Sequence, residues 1–377
     1  MTHRFNDLMH EAMRLTRASQ LSEATAVIQQ ALGLSVADRG PTSPVQGAGV
    51  ALDGLVFELP TLAPDRPTSS PSPIGEPPRD DPSDPDTFID GVHAHQSLSR
   101  HYKLYVPPDS AGRSLPLVVM LHGCTQDPED FAAGTGMNDL AREQSFFVLY
   151  PAQAQDANPS RCWNWFKHNH QVRERGEAAL IAAMTQAVIL ARGIDRSRVY
   201  IAGLSAGGAM AAAVAAAYPE IFAAVGVHSG LAPGVARNLP QALAAMRGGS
   251  ATANGLAPAM HLPVASIVFH GDRDQTVHPS NGDVVVAVVL HSALRDDASG
   301  DGRPVVEQGM SGGGMRYTRS IYGAGAGSAM VEHWVVHGGG HAWSGGQREG
   351  SYTEPRGPDA SREMLRFFFS QPHRVAH

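Results

Sequence analysis

The sequence predicts an α/β fold, a mostly parallel central sheet with helices on both faces, and three observations carry that expectation. Short runs rich in Val and Ile are apolar throughout instead of alternating, as strands buried on both faces must be. Helical stretches separate those runs one from the next, the order of a sheet built by crossover connections. A length of 377 residues accommodates one large domain of this kind plus something small.

Composition agrees. An apolar fraction of 42% and a charged fraction of 17% are those of a globular chain. The formal charge of −7, with no basic stripe, argues against nucleic acid as a partner. No apolar run reaches the roughly 18 residues of a membrane span. One uncharged stretch, 201–219, is mostly Ala and Gly and reads as a buried helix.

In chain order, residues 1–34 read as a small helical hairpin. Phe5, Leu8, Met9, Ala12 and Met13 fall at helical spacing. Ala24, Val27, Ile28, Ala31 and Leu32 do so again after the N-cap candidate Ser22, ending at Gly33. The hairpin is an arm for docking or self-association, or a pair packed on its own domain; the short apolar faces favour the second. The first residues mix acids and bases without a continuous apolar run, so no secretory signal is read. Residues 35–86 form a linker, with Pro60, Pro64, Pro67, Pro71, Pro73, Pro77, Pro78, Pro82 and Pro85 among Ser, Thr and Asp. The α/β domain occupies 87–377. Its strands are expected at 100–106, 117–122, 146–150, 199–203, 223–228, 265–270 and 331–336, and its helices near 138–144, 177–192, 206–217, 283–294 and 361–369.

The sharpest chemical signal is Gly203-Leu204-Ser205-Ala206-Gly207, between an apolar strand and an Ala-rich helix. That is the context of a nucleophile elbow, where side chains two residues either side of the serine would collide. A serine hydroxyl needs a base, and the base needs an acid to hold it, in the chain order Ser, Asp or Glu, His. Asp274, in His270-Gly271-Asp272-Arg273-Asp274, is the acid chosen over Asp272, which is read as capping the turn or pairing with Arg273. His341, after Gly338-Gly339-Gly340, is the base; His333 and His337 read as packed or surface histidines. The oxyanion donors are the N–H of Ala206 and that of Cys124, with His122 and Gly123 in the same strand-exit loop. This chemistry calls for no metal and no organic cofactor. The two cysteines, Cys124 and Cys162, are on arithmetic alone either two thiols or one disulfide.

Together these residues resemble the polyhydroxybutyrate depolymerase family of esterases, within the α/β-hydrolase superfamily. The likeness runs over about residues 90–370. It rests on Arg100-His101-Tyr102-Lys103-Leu104-Tyr105-Val106-Pro107, Leu121-His122-Gly123-Cys124-Thr125-Gln126 and Cys162-Trp163-Asn164-Trp165-Phe166. Gly203-Leu204-Ser205-Ala206-Gly207-Gly208-Ala209-Met210 and Gly340-His341-Ala342-Trp343 complete the set. The resemblance implies a Cys124–Cys162 disulfide beside the site, worth roughly 3–4 kcal/mol if unstrained. It also implies that Trp163 and Trp165 line a groove for a polyester chain, core packing being the competing role for both rings, while Trp343 beside His341 is read from the residues as an apolar wall of the site.

The implied activity is hydrolysis of short-chain polyhydroxyalkanoate, poly(3-hydroxybutyrate) or its oligomers, through an acyl-enzyme. The resemblance points outside the cell, whereas the unread signal leaves the cytoplasm open. Family members typically carry a further polymer-binding domain, and this chain ends soon after 361–369, so amorphous polymer or soluble esters are expected over crystalline polymer. The nearest rival is a feruloyl or acetyl-xylan esterase using the same machinery. A serine peptidase of this fold requires a gating domain for which the chain has no room, and a catalytically silent binding module conflicts with the intact Ser, Asp and His.

Overall fold

The computed structural model describes residues 51–52, 55–56, 87–248, 261–295, 303–323 and 330–371. The expected hairpin and nearly all of the linker lie outside the described residues. Ala51–Leu52 (β1) pairs antiparallel with Leu55–Val56 (β2).

The main sheet is made of β3 (Thr87–His95), β4 (Leu98–Val106), β5 (Leu117–Leu121), β6 (Phe147–Pro151), β7 (Val199–Leu204) and β8 (Ala224–His228), followed by β9 (Ala265–Gly271), β10 (Val305–Met310), β11 (Arg316–Tyr322) and β12 (Val331–Val336). These ten strands lie in the order β10-β11-β12-β9-β8-β7-β5-β6-β4-β3. The run from β12 to β6 is parallel, and antiparallel strands flank it on both sides. Helices α1 (Pro128–Thr135), α2 (Met137–Gln144), α3 (Gly176–Arg192), α4 (Ala206–Ala217), α5 (Leu239–Met246), α6 (Ser280–Arg295) and α7 (Ala360–Ser370) connect and cover it.

β5 shows why the central strands read as continuous apolar runs. Leu117, Val119 and Leu121 join one core, with α3, α4 and α6, while Val118 and Met120 join a second, with α1, α2 and α7. All five are fully buried, and burying a side chain of that size stabilises by about 1.5–3 kcal/mol. α4 owes its Ala/Gly composition to close approach: a Cβ on Gly208 would fall 2.9 Å from the Gly203 carbonyl oxygen. On the opposite face α7 starts at the N-cap Asp359, whose side chain accepts from Arg362 N, and buries Met364, Leu365, Phe367 and Phe368.

The expected strands and helices are all present, with ends shifted by a few residues at most. Unanticipated are β3, β10 and β11 at the sheet edges, where one exposed side admits the charges and glycines of VVEQGM and RYTRSIY. Helices α1 and α5 were also unanticipated, although the N-caps Asp127 and Asn238, each with a proline in the first turn, are readable start signals. Because β7, β9 and β12 run parallel, the loops that leave them emerge on one edge of the sheet, where open α/β sheets place their sites.

Candidate active site

Ser205 joins β7 to α4 with φ 58° and ψ −119°. A non-glycine residue there costs on the order of 1–3 kcal/mol and persists only when its surroundings over-determine it. They do so here. A Cβ on Gly203 would lie 2.4 Å from the Gly207 carbonyl carbon, and one on Gly207 would lie 2.0 Å from the Leu121 oxygen. The Ser205 N–H donates to His228 O at 2.9 Å, and the Ser205 carbonyl accepts from Ala209 N at 2.9 Å. The side chain makes no cap bond to its own helix, so the hydroxyl is left uncommitted at a helix N-terminus.

Asp274 and His341 meet, with His341 Nδ1 2.7 Å from Asp274 Oδ2. The other carboxylate oxygen accepts from Thr276 N at 2.9 Å and Val277 N at 2.8 Å. Burial pushes this carboxyl up, but bonds from His270 and His341 outweigh it and hold it well below the usual carboxylate range. An ionised Asp274 takes the Nδ1–H of His341 and leaves Nε2 as the basic nitrogen. Among the described residues, Ser205 Oγ and His341 form no hydrogen bond with each other. Catalytic bonds of this kind are often long in ligand-free proteins and tighten around substrate.

Asp272 serves elsewhere: it accepts from Gly338 N at 2.7 Å and lies 2.9 Å from His337 Nδ1. Its side-chain hydrogen bonds thus go to Gly338 and His337, and among the described residues it makes no salt bridge to Arg273. His333 is buried at the sheet, and His337 is partly exposed on the histidine loop.

The strand-exit loop of Cys124 is held from several sides. His122, fully buried, accepts from Gln153 N at its Nε2 (3.0 Å), which leaves Nδ1–H to donate to Gly123 O at 2.7 Å. Burial pulls this imidazole down to about 4, so it is neutral at physiological pH. Gly123 N donates to Gln126 Oε1 at 2.9 Å, and Thr125 N to Ser160 O at 2.7 Å. Cys124 and Cys162 form a disulfide with Cα atoms 4.2 Å apart. Among the described residues neither the Cys124 N–H nor the Ala206 N–H has an acceptor.

The tryptophans do not form an open wall. Trp163 is 0% exposed, Trp343 1% and Trp165 6%. Trp343 packs edge-on to Phe131, stacks on His228 and donates from Nε1 to Ser361 Oγ at 3.0 Å. Trp163 packs beside His122. The groove expected on these rings is filled by core contacts, because flat apolar surface gains more from burial than from a solvent-facing rim.

Sequence reasoning missed the residues that support the site. Gln153 links His122 to Cys162 O and to the fully buried Glu177, which also accepts from Asn164 N and pairs with Arg100. His228 links Ser205, through its carbonyl, to the histidine loop, through Nε2 accepting from Ser344 N at 3.0 Å. Burial, aided by His270 and His341, pulls His228 down to about 3. A lone Glu in the apolar run GEAALIAAM was the one signal available for the Gln153–Glu177 hub. Among the described residues no group of three or more His, Cys, Asp or Glu is arranged to hold a metal ion, and no helix is long and apolar enough to cross a membrane.

Known proteins add to this geometry. Poly(3-hydroxyalkanoate) depolymerase C of Paucimonas lemoignei is 32% identical over 250 residues, covering 62% of this chain and 56% of that protein. A probable acetylxylan esterase A of Neosartorya fischeri is 29% identical over 193 residues, covering 47% and 51%. This chain thus spans about half the length of each. Feruloyl esterase B of Thermothelomyces thermophilus is 28% identical over 242 residues, covering 59% of this chain and 81% of that one. Among solved structures, the acetyl xylan esterase from Aspergillus awamori superposes with a TM-score of 0.55 at 20% identity, over 72% of this chain and 94% of its own, a likeness of fold. The family model described as Esterase PHB depolymerase matches residues 100–308, more than half of the chain, and to that family the protein belongs.

Proposed function

We propose that the protein is a serine carboxylic ester hydrolase working through an acyl-enzyme. Ser205 Oγ attacks the ester carbonyl carbon as His341 Nε2 takes its proton. The N–H groups of Cys124 and Ala206 receive the developing oxyanion. The alcohol departs with the proton returned by His341, leaving Ser205 acylated, and water activated by the same imidazole releases the acid. Asp274 holds His341 in the required tautomer throughout.

The observation that carries this reading is the 2.7 Å bond between His341 and an Asp274 carboxylate held ionised, on the same sheet edge as a strained serine. Turnover of p-nitrophenyl butyrate tests it. Ser205→Ala should reduce kcat by about 10⁶-fold, and equal rates for the two proteins would remove the enzyme reading.

For substrate we propose short-chain polyhydroxyalkanoate, poly(3-hydroxybutyrate) or its oligomers. The depolymerase of Paucimonas lemoignei supports this, and the acetylxylan and feruloyl esterases support a second reading on plant cell-wall esters. Release of hydroxybutyrate from amorphous and crystalline polymer, set against release of acetate and ferulate from xylan, separates the two. The division at 1–34, 35–86 and 87–377 belongs to this proposal as well. A chain starting at residue 87 should keep its activity on soluble esters, and its mass in solution compared with the full chain tests self-association through the hairpin.

A further inference from the structure

Two bulky residues with left-handed backbones meet beside the amide of Cys124. Thr125 has φ 67° and Tyr352 φ 53°, a conformation that branched and bulky side chains rarely adopt and that gathers at ligand sites. They are 227 residues apart in the chain, yet the Tyr352 hydroxyl lies 3.2 Å from Thr125 Oγ1. The Thr125 hydroxyl donates to Cys124 O at 2.6 Å. Its proton is therefore committed, and Tyr352 is the donor between the two.

The backbone of Tyr352 is tied to the other side of the site. Its carbonyl accepts from Trp343 N at 2.7 Å, two residues beyond His341, within the short pairing of β13 (Trp343–Ser344) with β14 (Thr353–Glu354). One residue thus touches both the oxyanion loop and the histidine loop. Unlike the three tryptophans, Tyr352 stays 47% exposed. With the hydroxyl occupied by Thr125, the ring offers solvent an apolar face.

Resting on the esterase reading above, we infer that Tyr352 is a specificity-determining residue whose ring packs against the apolar chain of the ester next to its carbonyl. Its left-handed backbone is maintained because it aims the ring across the gap between the two loops. The backbone sets the ring's direction, the bond to Thr125 occupies its hydroxyl, and the ring face meets substrate.

The test is selectivity, measured in two series. One lengthens the acyl group, p-nitrophenyl acetate against butyrate; the other lengthens the alcohol, methyl against butyl butyrate. Tyr352→Ala should lower the preference for the longer member of one series by about tenfold, chiefly through KM, and that series identifies which side of the ester the ring meets. Tyr352→Phe, which keeps the ring, should stay within about twofold of wild type. Tyr352→Asn suits a left-handed backbone and takes the place of the alanine variant if that does not fold. Ratios unchanged in both series in a folded variant would overturn the inference, as would Tyr352→Phe behaving like Tyr352→Ala. Wild type and Ser205→Ala are run alongside. Should wild type turn over no ester, the enzyme reading falls and this inference with it; should wild type be active with unmoved ratios, this inference falls alone.

Discussion

The two loops that flank Ser205 are built in opposite ways. The oxyanion loop is closed covalently by Cys124–Cys162 and held by His122, Gln126 and Ser160. Behind it stands the buried hub of Gln153, Glu177 and Arg100. The histidine loop begins with Gly338-Gly339-Gly340, and added Cβ atoms on Gly338 and Gly340 would touch nothing within 4 Å. It is anchored before His341 by Gly338 N on Asp272 and Arg273 N on Gly339 O, and after it by Ser344 N on His228 and Trp343 N on Tyr352, with no covalent closure; a small cavity lined by His228, Gly339 and Gly340 lies beside it. Dipoles that stabilise developing charge act best when they need no reorganisation. A group that carries a proton first from the serine and then to the leaving alcohol benefits from freedom to adjust.

The largest effect is expected on the histidine side. Asp274→Asn presents an amide to His341 Nδ1 and favours the wrong tautomer, and kcat should fall by about 10⁴-fold. Asp272→Asn, which breaks only the exposed His337 pair, should leave kcat within about twofold of wild type, since partly exposed ion pairs contribute little. Steady-state kinetics on p-nitrophenyl butyrate decides; equal losses in the two variants would mean that the acid has been misassigned.

On the oxyanion side the larger penalty should fall on stability. The disulfide closes a separation of 38 residues, for which the chain-entropy estimate is about 4 kcal/mol, roughly 10³-fold in the folding equilibrium. Replacing both cysteines by serine should lower the urea midpoint accordingly. The hydrogen bonds around His122 and Gly123 remain, so kcat should drop by less than about tenfold. A loss of activity beyond that would show that the disulfide itself, and not the polar network, sets the Cys124 amide.

What could be read from the sequence follows the same division between local and distant causes. The elbow was legible because part of its glycine requirement is local, as with Gly203 against Gly207. Central strands were legible because burial on both faces leaves few positions for a polar residue, Glu332 and His333 on β12 being exceptions. Edge strands such as β10, with Val305 and Val306 more than half exposed, lack that constraint. Gln153, His228 and Tyr352 owe their roles to partners 31, 116 and 227 residues away, and no spacing rule connects such pairs. For the tryptophans the sequence leaves groove and core both open, because an indole beside a motif is equally suited to either, and only three-dimensional packing chooses.

Acid should weaken both sides through their buried imidazoles. His122 is drawn down to about 4 and His228 to about 3, against an ordinary value near 6.5 in the unfolded chain. Between those values the unfolded chain binds protons that the native state refuses, so stability rises with pH across the window. The contribution is complete above about pH 6.5 and is lost as pH falls toward 4, at up to about 1.4 kcal/mol per pH unit for each histidine. Urea unfolding at pH 7, 6 and 5 should show this slope, and His122→Asn should flatten it by one histidine's share. A slope unchanged in that variant would mean that His122 already carries a proton in the folded protein.

The smallest expected effect probes the glycine run directly. Gly340 lies at no positive φ and has open space around its Cα, so Gly340→Ala meets no steric obstacle. Reduced freedom of the unfolded chain should raise stability by about 0.4–1 kcal/mol. The same stiffening acts on the loop that brings His341 to Ser205, and if closing that gap is part of each turnover, kcat falls about two- to fivefold while the protein becomes more stable. That opposition is the outcome we expect. A stabilised variant with undiminished kcat would mean that His341 already rests where it works, and that the glycines serve the turn after β12 and not the motion of the base.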